Sequence, residues 1–190
     1  NHYNSAMARS LIDKIFFMYK VGDDITAIVD YGCADGTLIN FLASLFPDIT
    51  FVGYDISREM IEAAKAKNVS HDNVIFFSEM PKLIEWLNSS KEAAHTVLNL
   101  SSVIHEIYSY GTKEEIDDFW NLVNHNYFDY ITIREMALDN CAHRPSWKED
   151  VLKVRSQMGK ELIQDFELYH GSITDNYNLI HFLMKYRYTD

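Results

Sequence analysis

A chain of 190 residues, 47% of them hydrophobic, is long enough to close a sizeable core within a single domain over 1–190 and is cramped for two. Its net charge of -11 excludes a broad nucleic-acid-binding face, which must neutralise phosphates with Lys and Arg, and leaves room only for a local basic patch. Cys33 and Cys141 form neither a metal-ligand set nor a disulfide framework, and neither a membrane-spanning run of about 18 apolar residues nor a signal-peptide pattern is present; no metal, no membrane partner and a reducing, cytoplasmic setting are the expectations.

The sequence opens on Asn1 rather than Met, as a piece of a longer chain would. Within an N-terminal segment 1–22, Asn4 or Ser5 caps a helix running to about Tyr19, with Ala8, Leu11, Ile12, Ile15, Phe16 and Met18 on its apolar face. Ile25 to Val29 is short, apolar and rich in β-branched residues, the pattern of a strand buried on both faces of a parallel sheet. Asp30 closes that strand. In the turn that follows, Gly32 and Gly36 flank small Cys33 and Ala34, so the backbone can come close to a ligand. Thr37 caps the next helix, a second strand ends on Asp55, and Ser57 caps a helix from Arg58 to Lys67. Acidic residues closing two adjacent strands make a nucleoside-binding crevice, because open α/β sheets bind ligands at the strand carboxyl ends.

The turn lacks both G-x-G-x-x-G and G-x-x-x-x-G-K-[ST], which disfavours a phosphate cradle. It resembles instead the first two motifs of the class I, Rossmann-like, S-adenosylmethionine-dependent methyltransferases. Those motifs are an acidic residue before alternating glycines (Asp30, Gly32, Gly36) and an acidic residue ending the next strand (Asp55), with Ala34 standing where a middle glycine is usual. The resemblance spans about Ile25 to Glu135. It implies an α/β fold with a doubly wound, mostly parallel sheet, a cofactor-binding core over 23–136 and S-adenosyl-L-methionine as cofactor. It also implies that Gly32, Cys33, Ala34, Asp35 and Gly36 lie against the methionine part, Asp30 near its amino end, Asp55 on both ribose hydroxyls, and Ile56 and Met60 against adenine. The chemistry agrees: a carboxylate accepts two hydrogen bonds from a cis-diol, and an ammonium prefers a nearby anion.

Val74 to Phe77 forms a third strand, after which the resemblance makes Ser78, Glu79 and Met80 candidates to hold the adenine amino group. Pro81 starts a helix to about Ser89, and His95 to Leu100 is a fourth strand ending in Asn99, Leu100, Ser101 and Ser102, where the resemblance places methyl transfer. Missing motifs narrow the reaction there. The [DN]-P-P-[FYW] of base N-methylation, the lysine of ribose 2′-O-methylation and the cysteine of pyrimidine C5-methylation are all lacking. If Ser101 or Ser102 caps a helix, His105 lies one turn in, and an imidazole of pKa near ~6.5 is a usable base at neutral pH. His105 is thus either a general base or a structural, substrate-shaping group; Glu106 is a second polar group beside it, and Tyr108 and Tyr110 wall the acceptor site. A good nucleophile needs mainly alignment, so a base is not obligatory.

Thr112 to Glu115 is a capping box opening a helix to about His125, and Tyr127 to Glu135 supplies a fifth strand whose terminal Arg134 and Glu135 read as a salt bridge in preference to a substrate-binding pair. Where the family adds a helix and an antiparallel strand pair, residues 137–190 read as a helical addition: a capping box from Ser146 to Glu149, one helix from Val151 to Tyr169, and another from Tyr177 to Tyr186. Arg144, Lys148, Lys153, Arg155 and Lys160 make 144–160 the place for an anionic or RNA partner to dock, unless they are simply a solvated helix face. The expected function is methyl transfer to an O, N or C acceptor, with a small molecule slightly favoured. The rivals are RNA methylation and an inactive cofactor-binding scaffold within a larger protein.

Overall fold

The structure, a computed structural model, describes residues 11–68, 71–135 and 142–186. The expected helix cap at Asn4 or Ser5 and Cys141 lie outside these residues. The chain divides into two compact units, Asn1–Met136 and Ala137–Asp190.

The first unit is built on five strands, β1 (Ala27–Tyr31), β2 (Thr50–Tyr54), β3 (Val74–Phe77), β4 (Thr96–Ser101) and β5 (Tyr130–Arg134). They pair in the order β3-β2-β1-β4-β5, and every pairing is parallel. Parallel neighbours need crossovers, supplied by α1 (Thr37–Leu45), α2 (Arg58–Lys67), α3 (Met80–Ser89), α4 (Ile104–Tyr110) and α5 (Lys113–Val123). Alternation along each strand feeds two cores. Ile28, Phe51 and Val97 pack with Leu38, Ile39 and Leu42 of α1 and with Phe17, while Val29, Val52 and Leu98 pack with Leu83 of α3 and Phe119 of α5. The apolar runs read from the sequence therefore belong to strands covered on both faces. The strand order reverses between β1 and β4, so the crevice of an open α/β sheet falls at the carboxyl ends of those two strands.

Several local expectations change. Residues 11–14 are helical, but the helix does not continue to Tyr19; a 3-10 turn, Phe16–Tyr19, follows, and its Phe17 is fully buried. Thr37 is the first residue of α1 and not its cap. Gly36 takes the cap position with a left-handed φ of 68°, and Asp35 Oδ1 accepts from the Thr37 amide (3.2 Å) and hydroxyl (2.6 Å). Ser57 does cap α2, accepting from the Met60 amide at 3.3 Å, and the Thr112–Glu115 capping box is fully formed on α5.

The second unit contains α6 (Lys148–Gln157), α7 (Lys160–His170) and α8 (Asn176–Tyr186) around a core of Val151, Val154, Ile163, Phe166, Leu179 and Phe182. The single helix expected from Val151 to Tyr169 is broken: Met158 and Gly159 take extended ψ values of 150° and 131°, which lets the apolar faces of α6 and α7 turn onto one core. The expected Ser146 cap is absent too. Trp147 occupies the N-cap without a side-chain bond, and Ser146 Oγ is buried with no partner among the described residues. No helix among the described residues is long and apolar enough to cross a membrane.

Candidate functional site

The turn after β1 is held to β2 by its backbone. The amides of Gly32 and Cys33 both donate to the Tyr54 carbonyl, at 2.7 and 3.0 Å. Gly32 has φ 78°, and a Cβ on it would lie 2.5 Å from Val103 Cγ2, so only glycine lets the loop after β4 close onto this turn. Asp55 completes the tie. Its Oδ2 accepts from the Ala34 amide and its Oδ1 from the Ser57 amide, both at 2.9 Å, so the carboxylate links the turn to the start of α2.

Ala34 sits at φ 48°, a left-handed conformation that costs an L-residue about 1–2 kcal/mol. Ala34→Gly is therefore expected to stabilise the protein by about 0.5 kcal/mol after the extra unfolded-state entropy of glycine is subtracted, raising Tm by about 1–2 °C in thermal unfolding.

Two cavities share Gly32 in their linings. The larger, about 250 Å³, is lined by Tyr54, Asp55 and Ile56 from the end of β2 and by Val103, Glu106 and Ile107 around the start of α4, with Tyr31, Tyr110 and Glu115 nearby on its wall. The smaller, about 70 Å³, is lined by Asp30, Gly32, Ala34, Asp35 and Ser101 together with Lys14. Ser101 Oγ is buried there with no partner among the described residues, a polar atom that a ligand would satisfy.

Asp30 is buried, accepts from Asn99 Nδ2 at 2.7 Å, and Asn99 Oδ1 in turn accepts from the Thr132 hydroxyl at 3.0 Å. Burial pushes the Asp30 carboxyl up to about 6, against the pull of Asn99 and Lys14. A carboxyl whose folded pKa exceeds its unfolded one binds the extra proton in the native state, so its contribution is greatest in acid and is lost as pH rises through about 6. Asp30→Asn, which keeps the oxygen facing Asn99, should therefore gain about 2–3 kcal/mol at pH ~7.5. That gain should vanish toward pH ~4 in denaturant titrations.

The structure spreads the expected site residues over several surroundings. Asp30, Gly32, Cys33, Ala34, Asp35 and Ser101 line the smaller cavity; Gly32, Asp55, Ile56 and Glu106 line the larger. Cys33 is nonetheless largely in the core, where burial raises its thiol pKa. Asp35 also pairs with Lys67, and Gly36 turns the chain into α1. Met60 lies on the first turn of α2 and borders neither cavity. Ser78 and Glu79 border a separate polar hollow beside Arg58 and Lys65, Glu79 pairing with Lys82 at 2.7 Å, while Met80 packs toward the core as the first residue of α3. Leu100 is fully buried in β4.

The α4 start differs most from expectation. Neither Ser101 nor Ser102 caps it; Ser102 has φ 59°, Val103 is the N-cap, and no side chain of its own segment serves. Glu135, just past β5, does so instead: its Oε2 accepts from the amides of Ile104 (2.9 Å) and His105 (3.3 Å). Its other oxygen, Oε1, lies 2.8 Å from His105 Nδ1. The Arg134–Glu135 salt bridge is thus not formed; Arg134 donates to Ser102 Oγ at 3.3 Å. Glu106 Oε1 stands 3.8 Å from His105 Nε2. Tyr108 accepts from Trp120 Nε1 at 2.9 Å, and Tyr110 is 80% exposed. Lys14 and Val103 were not among the sequence candidates, and Glu135 was expected beside Arg134 and not beside His105. Only their convergence in space marks them, since each lies on a different element from its partner.

In the second unit, Arg155 of the basic run is paired with Glu167 at 2.6 Å.

Comparison with known proteins adds a family to this geometry. A family model described as a methyltransferase domain matches residues 23–116. The chain is similar to malonyl-[acyl-carrier protein] O-methyltransferase of Halalkalibacterium halodurans, 31% identical over 93 residues covering 48% of this chain and 34% of that protein. It is also similar to caffeic acid 3-O-methyltransferase of Rosa chinensis, 30% identical over 69 residues covering 36% of this chain and 19% of that one. The matches thus span about a third or less of the length of these curated relatives. Among solved structures, the plantazolicin methyltransferase BamL, in complex with a desmethyl analogue and SAH, is 21% identical with a TM-score of 0.47 over 67% of this chain and 44% of that one.

Proposed function

Since the chain belongs, through residues 23–116, to the class I methyltransferase-domain family, we propose that it binds S-adenosylmethionine and transfers its methyl group to a hydroxyl of a small molecule. When bound, the cofactor supplies an electrophilic methyl on a sulfonium. The residues present fit it: Asp55 for the ribose diol, Ile56 and Ile107 as apolar walls for adenine, and Asp30, Lys14 and Ser101 for the ammonium and carboxylate of the methionine part.

The observation that carries the choice of a hydroxyl acceptor is the contact of His105 Nδ1 with Glu135 at 2.8 Å. With the proton on Nδ1 and donated to Glu135, Nε2 would carry the lone pair that takes a hydroxyl proton as the acceptor oxygen attacks; His105 itself borders neither cavity. Glu135 also fixes the ring through its bonds to the amides of Ile104 and His105, so the base is oriented by the same carboxylate that starts its helix. The imidazolium formed would be stabilised by Glu135 on one side and Glu106 on the other. The enzyme's part is then alignment plus proton removal, with no metal invoked.

The test is calorimetric titration with S-adenosylmethionine followed by radiolabelled methyl transfer to matched phenols, amines, thiols and short RNAs. Turnover of phenols supports this reading; turnover confined to RNA or to amines overturns it, and binding with no turnover of any acceptor returns the scaffold reading.

A further inference from the structure

We propose that Arg134 is a positioning residue for the cofactor: it holds Ser102 in a left-handed conformation and so sets Val103 into the wall of the larger cavity. The inference rests on the reading that this cavity receives the adenosine of S-adenosylmethionine.

The loop between β4 and α4 bends at Ser102, whose φ of 59° lies where few residues other than glycine are found. Gly32, with φ 78°, reaches the same region from the loop after β1 with no Cβ to hinder it. Ser102 has no such freedom, and a serine persists there only where its surroundings hold it. Arg134 supplies that hold twice. Its carbonyl accepts from the Ser102 amide at 2.8 Å, extending the β4–β5 ladder past the Ser101–Arg134 pair, and its guanidinium donates to Ser102 Oγ at 3.3 Å. Any residue at 134 offers the first bond, whereas the second needs a long side chain with a donor at its end.

The neighbours of Ser102 show what the hold is for. Ser101 lines the smaller cavity, while Val103 lines the larger and packs onto Gly32. β1 and β4 are adjacent, with Tyr31 opposite Leu100, so the loops after them meet where the strand order reverses. Turning Ser102 from left-handed to extended would swing Val103 off Gly32 and carry the first turn of α4 with it. Glu135 grips that turn through the amides of Ile104 and His105. Consecutive residues at the end of β5 thus fix one loop, Arg134 at its bend and Glu135 at the helix that follows.

Titration calorimetry with S-adenosylmethionine, run beside thermal unfolding, tests the assignment on Arg134→Met, Ser102→Gly and the double variant. Without the guanidinium, Ser102 should leave the left-handed region for much of the time, and affinity should fall about three- to tenfold in proportion to the competent fraction. Glycine takes positive and negative φ about equally, so Ser102→Gly alone and the double variant should both bind within about two- to threefold of the parent protein. That rescue separates positioning from a general loss of stability, which lowers Tm but leaves the affinity of the folded protein unchanged. If Arg134→Met does not fold, Arg134→Lys, which keeps the charge but loses the planar fork, carries the same comparison with and without Ser102→Gly. Unchanged affinity in the Arg134 variant overturns the proposal, and so does a loss that Ser102→Gly fails to rescue, which would put Arg134 on the ligand itself. If the parent protein does not bind S-adenosylmethionine, the cofactor reading is overturned and this inference with it.

Discussion

Asp55→Ala is expected to weaken S-adenosylmethionine binding by about 10²–10⁴-fold, because it removes both acceptors proposed for the ribose hydroxyls, each charge-assisted bond contributing about 1.5–3 kcal/mol. The same carboxylate accepts from the amides of Ala34 and Ser57. The substitution should therefore also lower stability by about 1–3 kcal/mol, the cost of leaving those donors less well satisfied. Asp55→Asn keeps one acceptor but turns an NH₂ toward one of the two amides, so it should lose part of the stability together with the charge. Calorimetry beside thermal unfolding checks both parts. An affinity for the cofactor that survives Asp55→Ala unchanged would remove the ribose assignment, and with it the placement of adenosine in the larger cavity.

The second large effect concerns the base and its holder. His105→Ala should reduce kcat by about 10²–10⁴-fold while cofactor affinity stays within a few-fold, the signature of an interaction made during transfer and not during binding. Glu135→Gln is the sharper probe. Gln can still accept from the amides of Ile104 and His105, so stability should fall little, yet the group facing Nδ1 loses its charge and kcat should fall. Glu135→Ala should add a loss of about 0.5–2 kcal/mol in stability from the vacated cap of α4. If Glu135→Gln and His105→Ala both turn over at nearly normal rates, His105 shapes the site without taking a proton.

Both predictions involve long-range pairs, and this is where sequence and structure part. The strand ends, the glycine-bearing turn and Asp55 were legible because they obey local rules: buried parallel strands are continuous apolar runs, and tight turns need small residues at positive φ. Thr112 and Glu115 were legible for the same reason, a cap being completed within four residues. Thr37 misled because Asp35, two residues earlier, accepts from both the Thr37 amide and its hydroxyl, and the helix starts one residue sooner with Gly36 as its cap. The break at Met158 and Gly159 was hidden by an unbroken helical periodicity, since nothing local says where two amphipathic helices must fold back to share one core.

The sequence by itself determined the α/β class, the strand and helix succession from Ala27 to Val123, and the acidic residues closing β1 and β2, because each rests on neighbours within a few positions. Only the tertiary structure decided that Glu135, 30 residues from His105, both caps α4 and holds the imidazole. It likewise brought Lys14 to Asp30 and Asn99 to the same carboxyl, 69 residues away. For Asn99 and Glu135 the physical reason is shared: at the carboxyl edge of a parallel sheet, residues far apart in the chain become neighbours through strand pairing, and their partners are chosen by register, not by sequence spacing, whereas Lys14 comes from the helical segment that precedes the sheet.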